Sequence, residues 1–148
     1  KNIHAYVMGE HGDSEFAPLS QMMLATKRIT EVLEDKCNGY CVEDMKKIEE
    51  QVRTAAYKII EAKNATYYGI GMAITRIVKA ILGDENSVLT VSAKLCGEYD
   101  SKNVFIGVPC IIGRNGVKEI IELSLTDEEM ESFKNSVDVL EQSFEGVI

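Results

Sequence analysis

The run Gly9-Glu10-His11-Gly12-Asp13 places one histidine between two glycines, behind one carboxylate and two residues ahead of another. Imidazole is the side chain best suited to moving a proton near neutral pH. Flanking glycines let such a ring reach a cleft without neighbouring bulk and permit tight or left-handed backbone. His11 is therefore the candidate acid–base group, the alternative being a solvent-exposed turn histidine. The four cysteines, Cys37, Cys41, Cys96 and Cys110, form no C-x-x-C pair, and only two histidines accompany them. No metal site is expected. Free thiols in a reducing cytoplasm are the expectation instead.

The elements that must carry this loop follow from periodicity. Asn2 to Met8 reads as a strand, with Ile3, Ala5 and Val7 on one face and His4, Tyr6 and Met8 on the other. A short helix is expected over Leu19 to Ala25, a short strand over Ile29 to Leu33, and a turn over Cys37 to Cys41. Ile48, Val52, Ala55 and Ile59 recur at helical spacing, and so do Ile70, Ile74, Ile77 and Ile81. Gly69 and Gly71 weaken the entry to the second helix, and Gly83-Asp84 ends it. Val88 to Leu95 and Val104 to Ile112 read as strands, and Asn115-Gly116 signals a hairpin into Val117–Leu123. Thr126 and Glu129 fit a capping box opening a last helix with Met130, Phe133, Val137 and Leu140 on one face. Strands and helices do not alternate regularly, so the fold class is α+β, with long helices on antiparallel strands.

Composition bounds the partners. A 148-residue chain that is 45% apolar and 27% charged can build one ordinary core, which predicts a single domain over 1–148. A net charge of −8, from 24 acidic and 16 basic residues, argues against nucleic acid and against an anionic membrane surface. No apolar run approaches the roughly 18 residues of a membrane span, and the first residues do not resemble a signal peptide. The chain starts at Lys1 rather than Met, which predicts a piece of a longer protein.

Val7 to Glu15 resembles the histidine motif of the lactate and malate dehydrogenases. Further segments fall in the order found in the lactate enzymes: Arg53 to Gly69, Ala73 to Leu82, Asn103 to Pro109, and Arg114-Asn115-Gly116. The resemblance runs to the last helix and implies the C-terminal, substrate-binding domain of an NAD-dependent enzyme. On that basis His11 donates a proton to the ketone oxygen of pyruvate while NADH delivers hydride to the carbonyl carbon, and accepts it back from L-lactate. The family supplies the orienting aspartate from upstream of this chain; Asp13, two residues away, is expected to cap or brace the loop.

Four more roles follow from the same resemblance. Thr66, after Lys63-Asn64-Ala65, matches a substrate-contacting threonine, the alternative being a helix N-cap. Ile70 matches an apolar position beside the nicotinamide, the alternative being ordinary core. His4, seven residues before His11, matches an effector histidine of bacterial lactate dehydrogenases activated by fructose 1,6-bisphosphate; the alternative is a half-exposed strand histidine. Tyr57 matches a tyrosine that is phosphorylatable in some relatives, and on its amphipathic helix it is expected to be mainly structural. A cytoplasmic homotetramer serving glycolysis and pyruvate fermentation is implied.

No G-x-G-x-x-G is present, since Gly69-Ile70-Gly71 lacks its third glycine. The chain alone is therefore expected to be inactive, and to self-associate through the apolar face that would meet a nucleotide domain. The competing readings are a malate dehydrogenase C-terminal domain and a non-catalytic binding or oligomerisation domain. Glu10 and the Thr66-Tyr67-Tyr68 stretch favour the lactate type.

Overall fold

The computed structural model describes residues 2–34, 39 and 41–145. Cys37 and most of the expected Cys37–Cys41 turn lie outside the described residues. The N-terminal part forms a small antiparallel sheet, β1 (Ile3–His4), β2 (Met23–Leu24) and β3 (Lys27–Arg28), followed by helix α1 (Ile29–Glu34). Helices α2 (Val42–Arg53), α3 (Ala55–Lys63) and α4 (Tyr67–Leu82) come next. A second antiparallel sheet holds β4 (Ser87–Cys96), β5 (Lys102–Gly113) and β6 (Gly116–Ile120), and α5 (Asp127–Glu145) closes the chain. The expected α+β class is the observed one. Among the described residues no helix is long and apolar enough to cross a membrane.

The core is built on β5. Its alternate residues Val104, Ile106, Val108, Cys110 and Ile112 are buried, as the two-residue strand period requires. Both α4 and α5 pack against this strand, and α5 brings Phe133 and Val137. Phe133 meets Phe16 edge-on with ring centroids 6.5 Å apart and Tyr99 at 4.6 Å. The Tyr99 hydroxyl donates to the Ile121 carbonyl and accepts from the Leu123 amide, so a buried phenol carries no unmet polar group. Burial pushes the Cys110 thiol up to about 11, which leaves it protonated and poorly nucleophilic at neutral pH.

Local chemistry sets the boundaries. Thr126 and Glu129 bond reciprocally at the start of α5, as the capping box requires. Gly113 pairs with Gly116 across the β5–β6 turn, and Gly116 takes φ +92. Asn64 ends α3 in the left-handed region, which asparagine tolerates better than most residues.

Four expectations need correction. The strand over Asn2 to Met8 is only Ile3–His4, because beyond it the chain pairs through single bridges at Met8 and Gly9 instead of a ladder. Its buried member is Met8, on the His4 face, while Ile3 and Val7 stay exposed. Leu19 to Ala25 is a three-residue 3₁₀ turn, Leu19–Gln21, running into β2, with Ala25 at φ 55 turning the chain into β3. Ile29 to Leu33 is helical, not a strand: Ile29, Val32 and Leu33 stand at i, i+3 and i+4, the spacing of one helical face, and the β-branched residues do not override it. Finally, β6 stops at Ile120, short of Leu123.

Phe133 is fully buried between two rings, so Phe133→Ala is expected to cost about 3–5 kcal/mol by chemical denaturation, with the m-value unchanged.

Candidate active site

The His11 loop is fixed at its base by backbone pairing. Met8 and Phe16 exchange hydrogen bonds at 2.8 and 3.0 Å, closing the loop on itself. Gly9 and Gly107 of β5 exchange two more, both at 3.0 Å, attaching it to the core strand. Neither glycine is replaceable without movement. A Cβ on Gly107 would lie 2.9 Å from the Gly9 carbonyl oxygen, and Gly9 sits at φ +102.

Side chains complete the loop. Glu10 accepts from both the amide and the hydroxyl of Ser14, at 3.2 and 2.7 Å. Asp13 accepts from the Tyr57 phenol at 2.6 Å, which ties the loop to α3. Asp13 thus braces the loop and does not pair with His11. The charge beside the ring is Glu15, whose carboxylate lies 3.7 Å from His11 Nδ1. That contact is made by the turn in which the Glu15 amide bonds the Gly12 carbonyl, since an i,i+4 spacing outside a helix does not by itself bring two side chains together. The His11 side chain itself is 94% exposed, presented outward from a rigid base.

The other candidates lie on neighbouring elements. Thr66 is the N-cap of α4, as its structural alternative held, but its hydroxyl makes no capping bond and is left available. Ile70, 48% exposed, is not ordinary core. Gly69 and Gly71 on either side of it open onto free space, and α4 runs through both without interruption. Tyr57 is more than half exposed, and its phenol donates to Asp13 across to the His11 loop, a contact that its helix periodicity did not indicate. His4 lies exposed on β1 opposite Met23. Among the described residues no hydrogen bond or ion pair joins His11 to Thr66, Ile70 or His4.

Apolar surface surrounds these positions. Ile48, Val52, Ile59, Ile74 and Leu82 on α2, α3 and α4 are exposed. Between the N-terminal segment and α2 lies an apolar cavity of about 390 Å³, lined by Tyr6, Phe16, Met22, Met45, Ile48 and Val52 among others.

Comparison with known proteins fits this architecture. Residues 1–148 match the family model described as lactate/malate dehydrogenase, alpha/beta C-terminal domain, and the chain belongs to that family. It is 52% identical over 147 residues to L-lactate dehydrogenase 1 of Bacillus cereus, covering 99% of this chain and 46% of that protein. It is 49% identical over 148 residues to L-lactate dehydrogenase 2 of Bacillus anthracis, covering 47% of it. The crystal structure of minor L-lactate dehydrogenase from Enterococcus mundtii in its ligands-bound form superposes with a TM-score of 0.93 at 47% identity, over 99% of this chain and 46% of that one. The chain thus spans about half the length of the relatives it matches.

The Tyr57–Asp13 bond holds the phenol above its ordinary pKa of 10.0, chiefly because the hydrogen bond to Asp13 favours the protonated form. A group whose folded pKa is raised stabilises below its unfolded value and loses that contribution as pH climbs through the folded one. Tyr57→Phe is therefore expected to lower the Tm at neutral pH, and the gap from wild type should narrow as pH climbs above about 10 and close beyond the raised folded value. A gap independent of pH would contradict the bond.

Proposed function

We propose that this chain is the substrate-binding half of an NAD-dependent L-lactate dehydrogenase, with His11 as the group that exchanges a proton with the substrate oxygen. The observation that carries the reading is an imidazole held on a multiply braced base yet exposed to whatever lies above it. A base fixed by four backbone hydrogen bonds, with the ring free, is the arrangement a proton donor needs to meet a ligand in one geometry.

His11 as imidazolium donates its proton to the ketone oxygen of pyruvate as the alcohol forms, and the neutral ring takes that proton back from the hydroxyl of L-lactate. With Nδ1 turned toward Glu15, Nε2 is the nitrogen available to the substrate. The Thr66 hydroxyl, unused in capping, is placed to bond substrate and limit pocket size. Ile70, half exposed and flanked by glycines with open space around them, offers an apolar side chain against which a flat nicotinamide ring fits. No glycine-rich phosphate loop accompanies Ile70, so this chain would contact the ring end of NAD only. When bound, the nicotinamide supplies the two-electron reductant for pyruvate. The chain alone is then inactive, and the reaction belongs to the full-length polypeptide.

Regulation and assembly follow in the same reading. His4, exposed on β1, would contribute to a fructose 1,6-bisphosphate site in a cytoplasmic homotetramer, with the exposed apolar faces of α2, α3 and α4 covered by the remainder of the protein and by other subunits. Tyr57 is a phosphorylation candidate, because modification would replace the donor to Asp13 with negative charge.

The test is NADH oxidation by the full-length polypeptide with pyruvate, and with oxaloacetate in parallel. Pyruvate turnover is expected, falling by about 100- to 10,000-fold in His11→Ala. Preference for oxaloacetate would move the assignment to malate, and undiminished turnover in His11→Ala would remove His11 from the chemistry.

A further inference from the structure

The three serines of α5 differ in what their hydroxyls do. Ser132 and Ser143 bond back to the carbonyls one turn earlier, Glu128 and Val139, which is the usual behaviour of a serine inside a helix. Ser136 does not. Its hydroxyl leaves the helix and reaches the His11 loop, 122 residues away in sequence, lying 2.7 Å from the Ser14 carbonyl oxygen and 3.1 Å from the Ser14 hydroxyl. Ser136 is fully buried and is the one buried polar residue described beside the apolar core.

The contact continues into the loop. The Ser14 hydroxyl donates to Glu10 at 2.7 Å, and Glu10 immediately precedes His11. One chain of hydrogen bonds therefore runs from the buried face of α5 through Ser14, on the far side of His11, to Glu10 on the near side. The space for it depends on Gly9: a Cβ there would stand 2.5 Å from the Ser136 oxygen. A missing side chain on the loop and an off-helix hydroxyl on α5 fit one another.

We infer that Ser136 is a positioning residue for His11, fixing the loop from the C-terminal helix so that the imidazole meets the substrate oxygen in one orientation. The inference rests on the proton-transfer role given to His11 above. Ser136 touches neither substrate nor ring, and acts through Ser14 and Glu10. A displacement of the loop base is carried to the ring, and small misplacements of a reacting group cost rate more than they cost binding.

The experiment compares Ser136→Ala, Ser136→Cys and His11→Gln in the full-length polypeptide. Cysteine fills the space of serine and somewhat more, but donates poorly. Both Ser136 variants are expected to lower kcat for pyruvate reduction by about tenfold to a hundredfold, with the KM for NADH within about twofold of wild type. The solvent deuterium isotope effect on kcat should rise as proton transfer becomes slower. Wild-type kcat in Ser136→Ala would overturn the inference. So would recovery of kcat in Ser136→Cys, which would make packing the cause, and so would a parallel loss of kcat, NADH affinity and Tm in both variants. An active His11→Gln enzyme would instead remove the proton-transfer role beneath it, whereas an inactive one beside unchanged Ser136 variants would remove this inference alone.

Discussion

The contact on which the site depends is the close pairing of Gly9 with Gly107. Two main-chain hydrogen bonds at 3.0 Å join the His11 loop to β5, the strand around which the apolar core is assembled. A Cβ on Gly107 would stand 2.9 Å from the Gly9 carbonyl oxygen, and one on Gly9, at φ +102, would stand 2.5 Å from the Ser136 hydroxyl oxygen, so both positions favour glycine. The loop thereby inherits the rigidity of a packed strand while its tip stays free. Proton transfer needs both properties at once: a base that does not wander and a ring that no neighbour covers.

Everything else in the loop's surroundings adds constraint without covering the ring. Met8 and Phe16 close the loop, and both are buried in the core. The Tyr57–Asp13 bond joins it to α3, whose left-handed end at Asn64 leads through Ala65 to Thr66 at the start of α4. Ser136 reaches it from α5. Three elements distant in sequence thus converge on the six residues Gly9 to Ser14. The helices that frame the loop keep large apolar side chains exposed, and relatives matched over nearly all of this chain are about twice its length.

The sequence made some of this legible and hid the rest for physical reasons. Reciprocal capping by Thr126 and Glu129, the Asn115-Gly116 hairpin and the alternating burial of β5 are local rules, and the structure follows them. Periodicity located α4 well, but it reports that a helix has an apolar face and not what that face meets; Ile70 and Ile74 stand exposed where core packing was one of the readings. Runs as short as Ile29 to Leu33 carry too few residues to separate a strand from a helical turn, and the helix won. His11 stood out because glycine and histidine are chemically distinctive. Its braces did not: Gly107 and Ser136 are ordinary residue types whose meaning lies in pairings nearly a hundred residues or more apart, and one sequence gives no sign of such pairings.

The most direct test of the account is a crystal structure of the full-length polypeptide with NADH and a non-reducible pyruvate analogue. A His11 ring nitrogen is expected within about 3 Å of the oxygen that stands for the ketone, on a loop still paired through Gly9 and Gly107. A ligand bound away from His11, or a loop detached from β5 in the complex, would contradict it.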